Sequence, residues 1–213
     1  MNKYCLPDDY IERLTPQYFD DRVDDTIYQP DVYNDALTRI KQSNTLPIFL
    51  DLGCGKAQKL LALKTIPYQP VGIDYGENIK WLQQHHMMNG TWIEQDLESI
   101  TPDLPLPTMK QGITVMCVDV IEHLINSMPL LQTLKAWQRT VREIVITTPD
   151  RMLYYGMNHK GPPPNPCHVR EWSMFEFVDL LKSVELSIYH TSYARSVNTS
   201  NEKKTIQVIC RNG

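Results

Sequence analysis

The stretch Pro47 to Gly55, P-I-F-L-D-L-G-C-G, constrains the fold of this chain more than any other. Ile48, Phe49 and Leu50 form an apolar run too short for a helix and suited to a buried strand of a parallel sheet. Asp51 ends the run. Gly53 and Gly55 let the backbone turn tightly and approach a ligand with no Cβ in the way. Lys56 to Lys64, K-A-Q-K-L-L-A-L-K, is rich in helix formers and reads as a helix. A strand, a glycine loop and a helix in that order open a crevice at the carboxyl end of the strand. Open α/β sheets bind nucleotide-like ligands there.

The same device repeats downstream. Val71-Gly72-Ile73 is a second apolar run, and it ends in Asp74. Asp74 lies close to the roughly 20-residue offset from the first strand at which an acid meets ribose hydroxyls. The competing reading of Asp74 is a helix N-cap or a solvated loop acid. Thr91 to Glu94 leads to Asp96-Leu97, and Thr114 to Val118 leads to Asp119.

The D-L-G-C-G loop, the acid at Asp74 and the D-L pair at Asp96 together resemble the class I S-adenosylmethionine-dependent methyltransferases. The resemblance runs from Pro47 to the C-terminus, with Ala57 in place of the third glycine of the loop. It implies a Rossmann-like α/β fold. The sheet would have seven strands, mostly parallel with a C-terminal antiparallel strand, and helices on both faces. It also implies S-adenosyl-L-methionine as cofactor. Asp51, Gly53, Cys54 and Gly55 would line its methionine end, and Asp74 would hold the ribose diol. Asp96 would accept from the adenine amino group with Leu97 beside the ring, and Asp119 joins the cofactor residues.

The chain has 213 residues, 42% of them hydrophobic, which is enough for one α/β core. Residues 1–44 read as an N-terminal extension and covering helix, and residues 45–213 as the methyltransferase domain. A net charge of −4 gives no global basic footprint for nucleic acid. The five cysteines are scattered without a C-x-x-C pair, which points to free thiols and a reducing, cytoplasmic compartment. Cys54 reads as a small residue fitting the turn rather than a nucleophile, since no base is near it in sequence. The first residues have no apolar h-region, so no signal peptide is expected. No apolar stretch approaches the ~20 residues of a membrane span.

Met1 to Val32 interleaves acids with Tyr4, Tyr10, Tyr18, Phe19 and Tyr28. It is either a flap that closes on an acceptor or an extension packed down by its aromatics. Val32 to Ser43 has helical apolar spacing, as does Glu77 to Met88. His85 and His86 are adjacent on that second helix and face apart, which argues against a shared metal. Thr101 to Pro107 must be a loop. Ser127 and Pro129 open a helix whose buried stripe is Leu130, Leu131, Leu134, Trp137 and Val141. Glu143 to Thr148 is a fifth strand. Asp150 to Trp172 is a long Pro- and Gly-rich loop of the kind that is usually functional. Ser173 and Glu176 form a capping box for a helix over Met174 to Val184. Leu186 to Ser192 and Thr205 to Cys210 read as antiparallel strands joined by Asn198 to Lys204.

Asp119, Glu122 and His123, in V-D-V-I-E-H-L, share a face if that piece is helical. They stand at the mouth of the cofactor crevice. His168 arrives from the long loop, in C-H-V-R-E-W-S, and the two imidazoles should approach across the acceptor cavity. Glu122, His123 and His168 are the catalytic candidates. His123 would be the base, made more basic by Glu122 or Asp119. The pairing of an acid-x-x-Glu-His segment with a later His-x-x-Glu-Trp resembles the metal-dependent small-RNA 2′-O-methyltransferases. That likeness implies Asp119, Glu122, His123 and His168 as ligands of a divalent metal, with magnesium, manganese and zinc all compatible. The first segment alone also resembles the ubiquinone-pathway O-methyltransferases. The alternative is that Glu122 and His123 orient loops while His168 and Trp172 anchor a flap. G-C-G-x-x-x-K-L, D-V-I-E-H-L and G-P-P-x-N-P-x-H-V-R-E-W-S resemble small methyltransferase-domain proteins of the kind found near glycosyltransferases, which implies a small-molecule, sugar or glycan hydroxyl as acceptor.

The rival readings are a nucleotide-linked dehydrogenase, a non-catalytic cofactor-binding regulatory module and a methyltransferase for a nucleic-acid 2′-hydroxyl. The D-L pair at Asp96 and the terminal hairpin oppose the first. The intact D-V-I-E-H-L and H-V-R-E-W segments oppose the second. The acidic balance opposes the third.

Overall fold

The structure is a computed structural model describing residues 2–23, 26, 28–40, 47–63, 67–105, 112–197 and 200–212. In chain order its elements are α1 (Pro30–Ile40), β1 (Ile48–Leu52), α2 (Gln58–Ala62), β2 (Gln69–Asp74), α3 (Gly76–His85), β3 (Thr91–Glu94), β4 (Ile113–Val118), α4 (Met128–Trp137), β5 (Glu143–Pro149), α5 (Arg151–Tyr155), α6 (Met174–Ser183), β6 (Ile188–Arg195) and β7 (Lys203–Cys210). The seven strands lie in the order β3-β2-β1-β4-β5-β7-β6. β1 pairs in parallel with both β2 and β4, and β5 extends the parallel set. β7 runs antiparallel between β5 and β6. The strand order reverses at β1/β4, and such a switch point opens a crevice at the carboxyl ends of the strands.

The central strands are buried on both faces, which is why they read as continuous apolar runs. Their side chains alternate between two cores. Ile48, Leu50 and Leu52 join one core with Val115, Cys117, Ile144 and Ile146, covered by Leu130, Leu134, Phe177 and Leu180 from α4 and α6. Phe49, Met116, Val118 and Val145 join the other, covered by Ala36, Leu37, Leu60, Ile79 and Leu82 from α1, α2 and α3. Helices therefore cover both faces of a seven-stranded, mostly parallel sheet, as expected. Truncating a side chain such as Leu50 to alanine should cost about 2–5 kcal/mol.

Several elements differ from the sequence reading. α2 is only Gln58–Ala62, because Ala57 takes a left-handed conformation (φ 52°) and Leu63 is extended. Residues 64 and 41–43 of the expected helices lie outside the described residues, as do 106 and 107 of the expected loop and Asn198 and Thr199 of the expected turn. α3 ends at His85, and a separate 3-10 turn follows at Met87–Asn89. His85 is exposed and His86 half-buried. The capping box of α6 forms as expected, with Ser173 and Glu176 each accepting from the other's backbone N–H. Ser127 precedes α4 without a side-chain cap.

The segment Asp150 to Trp172 is not loop throughout. Asp150 caps α5, its Oδ1 accepting from Met152 and Leu153 N–H at 2.8 and 3.0 Å. The rest of the segment is held by the N-terminal residues. Tyr4, Leu6 and Tyr10 sit in the α4/α6 core. The Trp172 indole donates to the Tyr4 carbonyl at 2.9 Å. The fully buried Arg170 lies 3.8 Å over the Tyr4 ring and pairs with Glu12 at 2.8 Å. Ile11, Arg13 and Gln17 N–H donate to the carbonyls of Lys160, Val169 and Pro166. The aromatic anchors lie in the core, while Leu14 to Phe19 and Asp21 go on to line a cavity.

Candidate active site

A cavity of about 690 Å³ opens at the carboxyl ends of β1, β2 and β4. Its floor is the glycine loop. Gly53 and Cys54 N–H both donate to the Ile73 carbonyl, at 2.8 and 3.1 Å, tying the loop to β2. Gly53 and Gly55 have left-handed φ values of 67° and 56°. A Cβ on Gly53 would lie 2.6 Å from Val120 Cγ2, and one on Gly55 would lie 2.3 Å from Asp21 Oδ2. Both positions therefore need glycine for conformation and for space.

Asp74 is the hub of this end. Its Oδ2 accepts from Gly55 N–H at 2.6 Å and its Oδ1 from Tyr75 N–H at 2.7 Å. Burial pushes its carboxyl up to about 6, and those two N–H groups pull it back down. Asp21 Oδ2 accepts from Lys56 N–H at 2.8 Å. The strap from Tyr18 to Asp21 is fixed on Asn78, which donates to Phe19 O and accepts from Asp21 N–H, both at 3.1 Å. Cys54, Asp96 and Leu97 also line the cavity. Asp96 Oδ1 accepts from Glu98 N–H at 2.8 Å. Burial first, then Asp74 and Asp51, push the Cys54 thiol well up, which suits a turn residue and not a nucleophile.

Asp51 is not among the lining residues. Its carboxylate is buried and accepts from the Tyr33 hydroxyl of α1 at 2.9 Å. Burial raises it to about 7, against the opposing pull of Lys59 and of the Tyr33 hydrogen bond.

The other end of the cavity holds two imidazoles. His123 and His168 stand with ring centroids 4.6 Å apart, nearly perpendicular. His123 Nδ1 donates to the Cys167 carbonyl at 3.0 Å, which leaves Nε2 as the basic nitrogen. His168 Nδ1 donates to Glu171 Oε1 at 2.5 Å, and Asn165 Nδ2 donates to His168 Nε2 at 3.0 Å. Burial lowers His123 to about 3, with His168 adding to the effect. Burial lowers His168 to about 4, with Arg13 adding to it. Both rings are therefore neutral at pH 7.

V-D-V-I-E-H-L is not an α-helix, and this divides the expected set. Asp119 takes a left-handed conformation (φ 52°), and only Ile121–His123 form a single 3-10 turn. The i, i+3, i+4 face is therefore lost. Asp119 turns to Thr147, whose hydroxyl donates to its Oδ1 at 2.6 Å, and to the Gln29 amide. Glu122 is fully buried and accepts from the Thr148 hydroxyl at 3.1 Å. Burial, then the nearby Asp119, hold its carboxyl well above the usual range. Neither carboxylate touches His123, so the expected boost to its basicity is not built in. Glu122, His123 and His168 nevertheless bring three ligand atoms within 4.8 Å of one another, and Asp119 is outside that group. Glu122 Oε1 and Glu171 Oε2 are buried with no hydrogen-bond partner among the described residues.

Glu171, Asp21, Gln29, Tyr33 and Asn78 were not singled out in the sequence. Only Glu171 carried a signal there, through the His-x-x-Glu-Trp segment. The others act across the fold from the N-terminal region or from α3.

No protein-family model matches the chain, and no curated protein sequence does. Solved structures do. A SAM-dependent methyltransferase from Aquifex aeolicus aligns at TM-score 0.56 and 15% identity, over 86% of this chain and 89% of that one. The methyltransferase domain of bacterial CtHen1 aligns at TM-score 0.57 and 19% identity, over 86% and 98%. The N-terminal domain of EvdMO1, crystallised in the presence of SAH and D-fucose, aligns at TM-score 0.58 and 17% identity, over 89% and 85%. The chain thus has the fold of the class I S-adenosylmethionine-dependent methyltransferases.

Proposed function

We propose that this chain is an S-adenosylmethionine-dependent methyltransferase acting on a hydroxyl of a small molecule or sugar. The observation that carries the reading is a single cavity that joins the glycine loop, Asp74 and Asp96 to the His123–His168 pair. The first group suits an adenosine with a charged methionine tail. The second lies where an acceptor would meet the transferred methyl. Methyl transfer is an in-line displacement, so the protein mainly has to hold donor and acceptor in near-attack geometry. Tyr154 and Tyr155, rings 5.7 Å apart on α5, flank the acceptor end and offer faces for an apolar ring or the C–H face of a sugar.

The lining charge supports a non-nucleic acceptor. Asp21, Asp74, Asp96, Glu98, Asp119 and Glu171 face the cavity with Lys59 as their counter-charge. Such a wall repels a polyanion and complements the sulfonium of the donor. Calorimetry tests the reading. S-adenosylhomocysteine should bind and NAD should not; heat with NAD and none with either sulfur cofactor would overturn it.

A divalent metal is a second element of the proposal. The residues fit one: neutral imidazoles are the ligating form, and Glu122 Oε1 is a buried acceptor without a donor. Glu122, His123 and His168 would hold the ion. Bound there, it would act as a Lewis acid that makes the acceptor hydroxyl easier to deprotonate. Glu171 fixes the His168 ring through Nδ1, the outer carboxylate that metal-ligating histidines commonly have.

A further inference from the structure

A second cleft lies at the opposite end of the sheet, where β5 begins and β7 ends. It has a volume of about 440 Å³ and is lined by Thr38, Arg39, Arg142 and Arg211. Its three guanidinium groups come from three separate parts of the chain: the end of α1, the residue before β5 and the residue after β7. Glu143, fully buried, is the carboxylate that two of them share. It accepts from Arg39 Nε at 3.0 Å and from Arg211 Nη2 at 2.8 Å. Arg142 Nη2 donates to the Arg39 carbonyl at 2.5 Å and pairs with no carboxylate among the described residues. Arg39 Nη2 is buried with no hydrogen-bond partner among the described residues.

The described charges do not balance. Two permanent cations share one carboxylate, a third stands beside them with none, and a buried guanidinium nitrogen is left without an acceptor among the described residues. Neutralising Glu143 would need only one of the three. A guanidinium remains charged at every accessible pH, and its planar fork matches the oxygens of phosphate or carboxylate. A tetrahedral anion set among Arg39, Arg142 and Arg211 would supply the missing acceptor and remove the excess charge. We propose that this cleft binds a phosphate group, free or carried on a small molecule, at a site separate from the methyl cavity.

Inorganic phosphate is the first probe, added to the full chain at an ionic strength matched with chloride. Phosphate should raise the thermal unfolding midpoint above the chloride control, as any ligand selective for the native state does. Arg142→Met should abolish that rise and leave S-adenosylhomocysteine affinity unchanged. Arg142 is chosen because removing Arg39 or Arg211 would strip a partner from buried Glu143. Arg142→Lys keeps the charge and loses the fork. If the methionine variant fails to fold, the lysine variant should bind phosphate at least several-fold more weakly in calorimetry. Glycerol phosphate in place of inorganic phosphate separates a carried phosphate, which would bind more tightly, from a free one. A rise equal to that in chloride, or an undiminished rise in the Arg142 variants, would overturn the proposal.

Discussion

His168 Nδ1 donates to Glu171 Oε1 at 2.5 Å, and both side chains are buried at the cavity wall. The bond fixes the ring orientation and the tautomer, so that Nε2 is the acceptor nitrogen, which takes the Asn165 amide N–H at 3.0 Å. Glu171→Gln keeps the shape and loses the charge. We expect turnover to fall about 10–100-fold, as when an outer-shell partner of a ligating histidine is removed. Cofactor affinity should not change. Calorimetry with S-adenosylhomocysteine beside a turnover assay checks this; equal losses in both would assign Glu171 to folding alone.

Asp74 holds the glycine loop from within, through Gly55 and Tyr75 N–H. Asp74→Ala leaves those donors unpaired and removes the acceptor offered to a ribose. Cofactor binding should weaken by about 1–3 kcal/mol. Asp96→Ala, which releases one Glu98 N–H at a more exposed position, should cost less. The two dissociation constants for S-adenosylhomocysteine decide the order.

Asp51 makes stability depend on pH. Its folded carboxyl is raised from 3.8 to about 7. A raised carboxyl binds its proton more tightly in the folded state than in the unfolded one. The folded chain is therefore favoured by Asp51 protonation at low pH. That contribution is lost as pH rises from about 4 to about 7, and it changes no further above that range. Asp51→Asn removes this dependence. Urea unfolding at pH 5 and pH 8 should show the variant gaining on the wild type at pH 8 by roughly a few kcal/mol. No relative gain at the higher pH would refute the assignment.

The strap and the long segment after β5 should open as one unit. Ile11, Arg13 and Gln17 N–H are bonded to Lys160, Val169 and Pro166, and Val169 N–H is bonded to the Glu122 carbonyl at 2.7 Å. These four amides should share one hydrogen-exchange rate, slowed when cofactor and acceptor fill the cavity beneath. Four independent rates, or no change on ligation, would show that the strap does not close the site.

The centre of the sheet was legible because its strands there are buried on both faces. Continuous apolar runs such as Ile113 to Val118, each ending in an acid or a turn, leave little freedom of interpretation. The approach of His123 to His168 followed from parallel strands opening on one side. The failures came where a single residue leaves regular geometry. Asp119 in a left-handed conformation breaks the spacing that seemed to align it with Glu122 and His123. Ala57 does the same to the start of α2. The Tyr33–Asp51 bond and the seat of Asp21 on the glycine loop join residues far apart in sequence. No local pattern encodes them.

The last expectation concerns the cluster of Glu122, His123 and His168. Burial lowers the two imidazoles to about 3 and about 4, which makes them poor proton acceptors but leaves their nitrogens free of charge. A base works best when its pKa lies near the operating pH, and His123 has no carboxylate to raise it. A ligand role asks only for a neutral ring. We therefore expect the chain to bind manganese, read by the loss of its free-ion electron paramagnetic signal. His123→Ala and His168→Ala should each abolish that binding while S-adenosylhomocysteine still binds. Once an acceptor is known, chelation should stop turnover and added metal should restore it. Turnover that survives chelation, with no manganese bound, would return the reaction to positioning alone and leave Glu122 as a buried partner of Thr148.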